Sequence, residues 1–304
     1  MQRALDSVAA QTYPNIEIVV VAASGAGHCE LPDRCGAFAL RLVRSQRPLA
    51  RADAANAALD AARGDWLNIL DDDDELLPAH VATLRAALDE QPHARLAHSL
   101  SEDCRADGGF LRYHGGRFKP WRQLDTGFFH PHCAMFARSL VAGGARFDSR
   151  FDILEDMDFF VQCAQRTPFA FVKTPTTRYY VDAGDSGAGA GSNRDPARLR
   201  KAIDTLRSKW AALEAELRTT PEFRGEQALW LIDQGMLDAA SSVIAALREE
   251  RSDSVDAQAL AILLQVARGS IVDARAALAR LGSGEPTLDA IVVRLDALRA
   301  SLAG

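Results

Sequence analysis

The sequence predicts an α/β domain with a mostly parallel sheet, followed by an all-α region. The first ninety residues alternate in the order helix, strand, strand, helix, strand, helix, which is typical of parallel sheets. An apolar run, residues 66–70, then leads into four consecutive carboxylates, residues 71–74, and Pro78 follows. After Pro221 the pattern is helical to the end.

Each N-terminal element follows from its local pattern. Residues 1–10 place apolar side chains on one side and predict a helix, and the β-branched residues 16–21 predict an interior strand. Residues 38–42 alternate and predict a second strand. Residues 52–63 are rich in alanine and predict a helix that is closed by Gly64.

The four carboxylates follow a short apolar run and therefore lie at the carboxyl end of a predicted buried strand. Ligands bind at this edge in open α/β sheets. Adjacent carboxylates repel one another, and a divalent cation with oxygen ligands removes that repulsion. The alternative is a solvated acidic turn that caps the next helix. An EF-hand loop is excluded, because the sixth and twelfth positions from Asp71 are Leu76 and Ala82.

The later part of this domain carries a second acidic group. Glu155, Asp156 and Asp158 open a predicted helix, and short strands are expected at residues 133–137, 169–172 and 177–181. Acids at a helix start favour capping through the helix dipole, and such a carboxylate can also face a cleft.

Two histidines flank a proline in the loop before residues 133–137. His130 and His132 allow two interpretations: a metal-binding pair, or loop histidines packed beside a cleft. The absence of a regular ligand spacing favours the second.

Composition narrows the class and location of the protein. The 304 residues carry a net charge of −6, so nothing in the charge indicates nucleic acid or an anionic membrane surface. The five cysteines form no C-x-x-C pair, which favours a reducing compartment over a disulfide framework. No apolar run approaches a membrane span. We expect a cytoplasmic protein, with a peripheral position at the inner face of the membrane as the alternative.

The C-terminal third is predicted to form a separate region. A Gly- and Ser-rich linker at residues 186–194 divides a domain of residues 1–185 from a helical region of residues 195–304. Within that region, an apolar stripe from Leu199 to Leu217 repeats with a period of seven residues and predicts one long helix. The stripe can pack on the first domain or on a second copy of the chain.

The helical region also contains a weak internal repeat. Residues 235–240 recur loosely as residues 269–274, an offset of 34 that resembles tetratricopeptide repeats. Two such units are fewer than a free solenoid needs. We therefore expect this region to bind a partner protein, to self-associate, or to pack against the first domain.

Five segments in order resemble the family 2 glycosyltransferases of the GT-A fold. The resemblance covers about residues 1–185, and the segments are residues 7–21, Asn56, residues 62–66, residues 70–74 with Pro78, and the pair 143–148 and 155–159. It implies a nucleotide-diphospho-sugar transferase domain with a Rossmann-like mixed sheet. It also implies metal-dependent, inverting transfer of a sugar, such as a hexose, to an acceptor hydroxyl.

The resemblance also implies roles for individual residues. Asp156 matches the base that takes the proton of the acceptor hydroxyl, and Glu155 and Asp158 become its supports. Asp73, with help from Asp71, would hold Mn²⁺ or Mg²⁺. Asp71, Asp72 and Asn56 would contact the nucleotide sugar, with Asp72 on the ribose side. The acceptor, which is a glycan, a lipid-linked molecule or a protein, would meet the loop at residues 102–130.

Two departures from the family pattern affect the donor pocket. Met1 falls inside the helix that follows the family's first strand, so either the start lies upstream or that strand is missing. Ala22 and Ala23 stand where the family has an acidic pair that grips the nucleotide base. These departures leave a second hypothesis open: a catalytically degenerate relative that acts as a binding protein.

Overall fold

The structure is a computed structural model that describes residues 1–23, 31–124, 129–183, 195–281, 286 and 288–303. The chain divides into two compact units, Met1–Trp210 and Ala211–Gly304. The predicted linker at residues 186–194 lies outside the described residues.

The first unit combines strands and helices in the predicted order. Its strands are β1 (Glu17–Ala22), β2 (Arg34–Cys35), β3 (Phe38–Arg44), β4 (Trp66–Asn68), β5 (Glu75–Leu76), β6 (Leu96–Cys104), β7 (Phe110–His114), β8 (Ala134–Ala137) and β9 (Phe169–Tyr180). Its helices are α1 (Gln2–Ala9), α2 (Arg51–Ala61), α3 (His80–Glu90), α4 (Pro120–Gln123), α5 (Arg138–Ala142), α6 (Glu155–Ala164) and α7 (Pro196–Lys209). A 3₁₀ turn, Pro131–Cys133, precedes β8.

The strands form a mixed arrangement. One sheet has the order β1-β3-β2, and the other has the order β4-β8-β6-β9-β5 with β7 paired to β6. Among the described residues, β1–β3 and β6–β9 are parallel pairs, and the remaining pairs are antiparallel. The mixed sheet is thus confirmed, whereas a mostly parallel one is wrong. Parallel neighbours need long crossover connections, and β7 instead returns to β6 through a short hairpin.

Helices cover both faces of the larger sheet. Leu96 and Phe136 pack in one apolar cluster with α2, α5 and α6. Their chain neighbours Ala97 and Met135 pack in a second cluster with α3. Successive strand residues point to opposite faces, so both faces of β6 and β8 are buried. This three-layer arrangement leaves the strand ends and their loops for function.

Two local expectations were wrong at their boundaries. Helix α2 ends at Ala61, and the next residue is extended, so Gly64 is not a left-handed cap. Its amide instead donates to Oε1 of Glu17 over 2.8 Å. The two short strands expected at residues 169–172 and 177–181 are one strand, β9, whose pairing with β6 shifts register where Pro175 lies opposite Leu100.

The second unit contains only helices among its described residues. They are α8 (Ala211–Arg218), α9 (Pro221–Asp233), α10 (Leu237–Glu250), α11 (Val255–Ala267), α12 (Ile271–Arg280) and α13 (Asp289–Ala303). Gly235 follows α9 and Gly269 follows α11, both with positive φ. Ala240 and Ala274, 34 residues apart, are both fully buried. Equivalent positions therefore recur in two helix pairs, while the likeness to tetratricopeptide repeats stays a prediction.

Helix α7 belongs to the first unit. Its Leu206 is fully buried, and Asp158 on α6 accepts hydrogen bonds from Lys209 Nζ and from Trp210 Nε1, each at 2.8 Å. The division between units falls after Trp210, later than the expected linker. The single long helix expected over the Leu199–Leu217 stripe is therefore two helices, α7 and α8.

In the ranges that the structure describes, no helix combines the length and apolar character that crossing a membrane requires.

Candidate functional site

The acidic loop, residues 71–74, joins β4 to β5. One carboxylate oxygen from each of Asp71, Asp73 and Asp74 lies within 4.8 Å of the others, while Asp72 is exposed. Asp74 is almost fully buried, where it accepts the backbone N–H of Tyr180 at 3.2 Å and lies 3.1 Å from Nδ1 of His132. Asp74 was not predicted as a site residue, because four adjacent acids carry no local signal of which one points inward.

The charges of this loop are poorly compensated. Burial and the charges of Asp74 and Asp71 together raise the pKa of Asp73 to about 6. Burial also raises the pKa of Asp71, against the opposing charge of Arg51. Crowded, partly desolvated carboxylates are the donor set that a hard divalent cation prefers. The residues present thus fit Mg²⁺ or Mn²⁺.

Arg51 connects the acidic loop to the start of α6. Its Nε donates to Glu155 Oε1 at 2.7 Å, and its terminal nitrogen lies 3.9 Å from Asp71 Oδ2. Arg51 is the first residue of α2, far in sequence from both partners. No local pattern predicts this bridge, so sequence reasoning missed it.

Asp156 lies in the first turn of α6, next to Glu155. Burial and the charge of Glu155 together raise its pKa to about 7. Arg51 contacts both Glu155, the chain neighbour of Asp156, and Asp71 of the acidic loop. One carboxylate oxygen of Asp156 accepts the N–H of Met157 at 2.9 Å. The structure thus brings Asp156 and the acidic loop to one place.

The residue before this helix has an unusual backbone. Leu154 has a φ of 66°, and no other non-glycine residue in the described ranges has a positive φ. A left-handed leucine costs of the order of 1–3 kcal/mol, and such residues cluster at functional sites. The left-handed turn therefore marks the start of α6 as a constrained position.

The two neighbours expected to support Asp156 are engaged within the fold. Glu155 is held by Arg51. Asp158 is fully buried and also accepts a hydrogen bond from Gln162 Nε2 at 2.7 Å.

Asn56, which was expected to contact the donor, has both amide atoms engaged within the fold. Its Nδ2 donates to the carbonyl oxygen of Phe147 at 2.8 Å, and its Oδ1 accepts the N–H of the same residue at 3.1 Å. Asn56 thus fixes the turn after α5 to α2, which is a positioning role.

A buried polar network lies beneath the acidic loop. Nδ2 of Asn68 lies 3.1 Å from Nε2 of His80 and donates to the carbonyl of Ala134 at 2.7 Å. On its other side, His80 Nδ1 is 2.7 Å from Thr176 Oγ1. Complete burial lowers the pKa of His80 to about 3, so this imidazole is neutral. The network fixes the position of β4, which leads into the loop.

His130 and His132 do not form a metal-binding pair with each other. Their rings stack with centroids 5.6 Å apart, and each faces a different carboxylate. His132 faces Asp74, and His130 Nε2 lies 3.1 Å from Asp103 Oδ1. Both rings therefore pack beside the site.

The end of β1 offers no carboxylate at the position that the family uses for the nucleotide base. Ala22 is buried, at 5% exposure, and Ala23 follows it. Neither side chain can accept a hydrogen bond.

Comparisons with known proteins give a family match and two relatives. Residues 1–143, a little under half of the chain, match the model of glycosyl transferase family 2. An uncharacterised glycosyltransferase of Methanocaldococcus jannaschii is 25% identical over 153 residues, 47% of this chain and 51% of that protein. An uncharacterised protein of Sinorhizobium fredii, y4gI, is 28% identical over 203 residues, 62% of this chain and 21% of that protein. The chain thus spans about half the length of the M. jannaschii protein and about a fifth of the length of y4gI.

Solved structures show the fold. The S. aureus TarS 1–349 structure has a TM-score of 0.52 at 16% identity and covers 90% of this chain and 84% of its own. The same protein in complex with UDP-GlcNAc gives a TM-score of 0.52 at 18% identity, with the same coverage. The first unit therefore has the GT-A fold.

Proposed function

We propose that this protein is an inverting glycosyltransferase that moves a sugar from a nucleotide-diphosphate donor to an acceptor hydroxyl. The observation that carries the proposal is the bridge from Asp71 through Arg51 to Glu155. It joins an acidic loop that fits a divalent cation to a helix start that presents a half-buried carboxylate. Donor activation and acceptor deprotonation need these two features side by side.

Asp156 is the proposed base. As the acceptor oxygen attacks the anomeric carbon, its proton passes to a carboxylate oxygen of Asp156, and the bond from that carbon to the diphosphate breaks on the opposite face. Attack from the face opposite the leaving group inverts the configuration of the sugar. A carboxylate suits this role because its ionised form accepts a proton and the hydroxyl becomes acidic only as it attacks.

The acidic loop is the proposed donor anchor. Asp73 and Asp71 would hold the divalent cation, Asp74 would support them from its buried position, and Asp72 would face the ribose. When bound, such an ion supplies charge neutralisation for the departing diphosphate. Arg51 keeps Asp71 oriented and fixes Glu155, so that the chain itself sets the spacing of the two halves.

The first experiment measures donor binding. Because TarS binds UDP-GlcNAc, thermal melting is recorded with UDP and other nucleoside diphosphates, each with and without Mn²⁺. We expect a joint stabilisation by nucleotide and metal that Asp73→Asn abolishes. The exchange Asp89→Asn, at an exposed ion pair on α3, is the matched control and should leave the shift unchanged. An equal shift in the Asp73 variant would remove Asp73 from the metal site.

A second candidate function is a degenerate relative that binds a protein partner through its helical unit. The observation that favours it is the loss of acceptor groups at Ala22 and Ala23. Hydrolysis of a panel of nucleotide sugars, with water as acceptor, separates the two. Turnover by the wild type supports the enzyme, whereas nucleotide binding without turnover across the panel supports the relative.

A further inference from the structure

We propose that Asp103, His114 and His130 form a second metal site, separate from the acidic loop and suited to a zinc-like divalent ion. Its three ligands come from β6, β7 and the residue before the 3₁₀ turn. None of them belongs to the proposed transfer machinery.

The sheet register brings these groups to one face. On β6, Ser101 pairs with His114 of β7, and Asp103 pairs with Tyr179 of β9. Residues two apart on a strand share a face, and paired residues lie side by side, so Asp103, His114 and Tyr179 point the same way. His130 then stacks on Tyr179 with ring centroids 3.9 Å apart. A rigid aromatic support thus holds one ligand over the sheet.

The distances suit a common ion. One ligand atom from each of the three residues lies within 4.8 Å of the others. His130 Nε2 is 3.1 Å from Asp103 Oδ1, and His114 Nδ1 is 4.0 Å from Asp103 Oδ2. Two ligands of a tetrahedral zinc ion are separated by roughly 3.3 Å, given bonds of about 2.0–2.2 Å. Only His114, on the sheet edge, has to move closer.

The ligand types also suit a metal. Two imidazoles and one carboxylate are a common zinc ligand set. On binding, the proton of His130 Nε2 moves to Nδ1, and the ion takes its place beside Asp103.

The surroundings fix the carboxylate and leave the site accessible. Arg112 Nε donates to Asp103 Oδ2 at 2.9 Å, which is the kind of outer contact that orients a metal ligand. The side chains of His114 and His130 are 31% and 20% exposed. Three protein ligands leave a coordination position for water or for an anionic oxygen of a bound molecule. The site can therefore load without opening the fold.

The test uses the full chain with Asp73→Asn, so that the acidic loop does not compete. After treatment with a chelator, Co²⁺ is titrated as a coloured substitute for Zn²⁺, and its visible absorption reports imidazole ligation. We expect one ion per chain. Adding His114→Ala or His130→Ala should weaken binding at least about tenfold, because each removes a ligand. Adding His93→Ala, an exposed histidine after α3, is the matched control and should change nothing.

A second measurement does not depend on the folding of the histidine variants. In ¹⁵N-labelled Asp73→Asn protein, Zn²⁺ should shift the ring nitrogens of His114 and His130 and leave His93 unchanged. Absence of Co²⁺ binding, or equal binding in all the histidine variants, would overturn the proposal. Unshifted His114 and His130 nitrogens at saturating Zn²⁺ would overturn it as well. The outcome is independent of transferase activity, so failure here leaves the proposed function standing.

Discussion

Arg51 is the residue through which the two acidic groups of the site influence each other. It neutralises part of the charge of Asp71 and binds Glu155, and its charge also lowers the pKa of Asp156. Burial and Glu155 act in the opposite direction and bring that pKa to about 7. The pKa of the proposed base therefore depends on opposing effects of burial and charge, and a substitution of Arg51 should shift it.

For Asp156 itself, we expect Asp156→Asn to lower turnover by roughly 10²–10⁴-fold while nucleotide and metal still bind. The amide keeps the size of the side chain but cannot take a proton at neutral pH. Donor hydrolysis and melting with nucleotide and Mn²⁺ give the two readouts. A variant that loses both binding and turnover would show that Asp156 is a structural cap of α6.

The pH dependence follows from the raised pKa of Asp156. Only the ionised carboxylate accepts a proton, so kcat/KM of the wild type should rise as pH increases through about 7 and level off above it. Arg51→Gln removes a charge that lowers this pKa, so its rising limb should lie at higher pH. Profiles are recorded at saturating metal, with Arg85→Gln on α3 as control. Coincident profiles for Arg51→Gln and the wild type would contradict this coupling.

At the scale of elements, the start of α6 is fixed from several sides. The left-handed Leu154 turns the chain into the helix, Arg51 holds Glu155, and the end of α7 holds Asp158. Asp158 is fully buried, so its charge depends on Lys209 and Trp210 for compensation. A helix held in this way keeps Asp156 in position without a contact to Asp156 itself.

Trp210→Phe tests this anchoring. The exchange keeps an aromatic ring but removes the N–H that binds the buried carboxylate. A hydrogen bond to a charged group contributes about 1.5–3 kcal/mol, so we expect a loss of that size in the free energy of unfolding of the first unit. Denaturant titration measures it. Trp230→Phe, at a side chain 56% exposed in the second unit, should change stability by less than about 0.5 kcal/mol.

At the scale of the whole molecule, the boundary between the units decides which fragment can fold. The first compact unit ends at Trp210 and includes α7. The second unit has its own apolar core, centred on fully buried residues of α11 and α13 such as Leu260 and Ile291. Each unit is compact by itself, so we expect a chain cut between the units to give a folded first unit.

Two truncations test the boundary. A fragment of residues 1–210 keeps Leu206, Lys209 and Trp210, and its melting temperature should match that of the first unit in the full chain. A fragment of residues 1–194 exposes the surface under Leu206 and leaves Asp158 uncompensated, so it should melt lower or precipitate. Thermal melting and size-exclusion chromatography compare them. Equal stability of the two fragments would place the boundary at the linker that the sequence predicts.

The sequence by itself determined the features that depend on neighbours along the chain. Hydrophobic period and turn residues predicted β1, β3, α2 and the acid-rich start of α6 to within a few residues. The acidic loop was found in the same way, because an apolar run that ends in carboxylates is a local signal. Side-chain alternation and helix periodicity act over a few residues, and the sequence displays them directly.

Tertiary structure alone decided the pairings across the fold. Arg51 meets Glu155 across 104 residues, and Asn56 binds the backbone of Phe147 across 91. Such contacts also turn Asp74 inward and place His130 beside Asp103. They also assign α7 to the first unit. Sheet register and the packing of one face against another determine which residues meet. A local sequence pattern does not contain this information, because the partner residue of each contact lies in a distant segment.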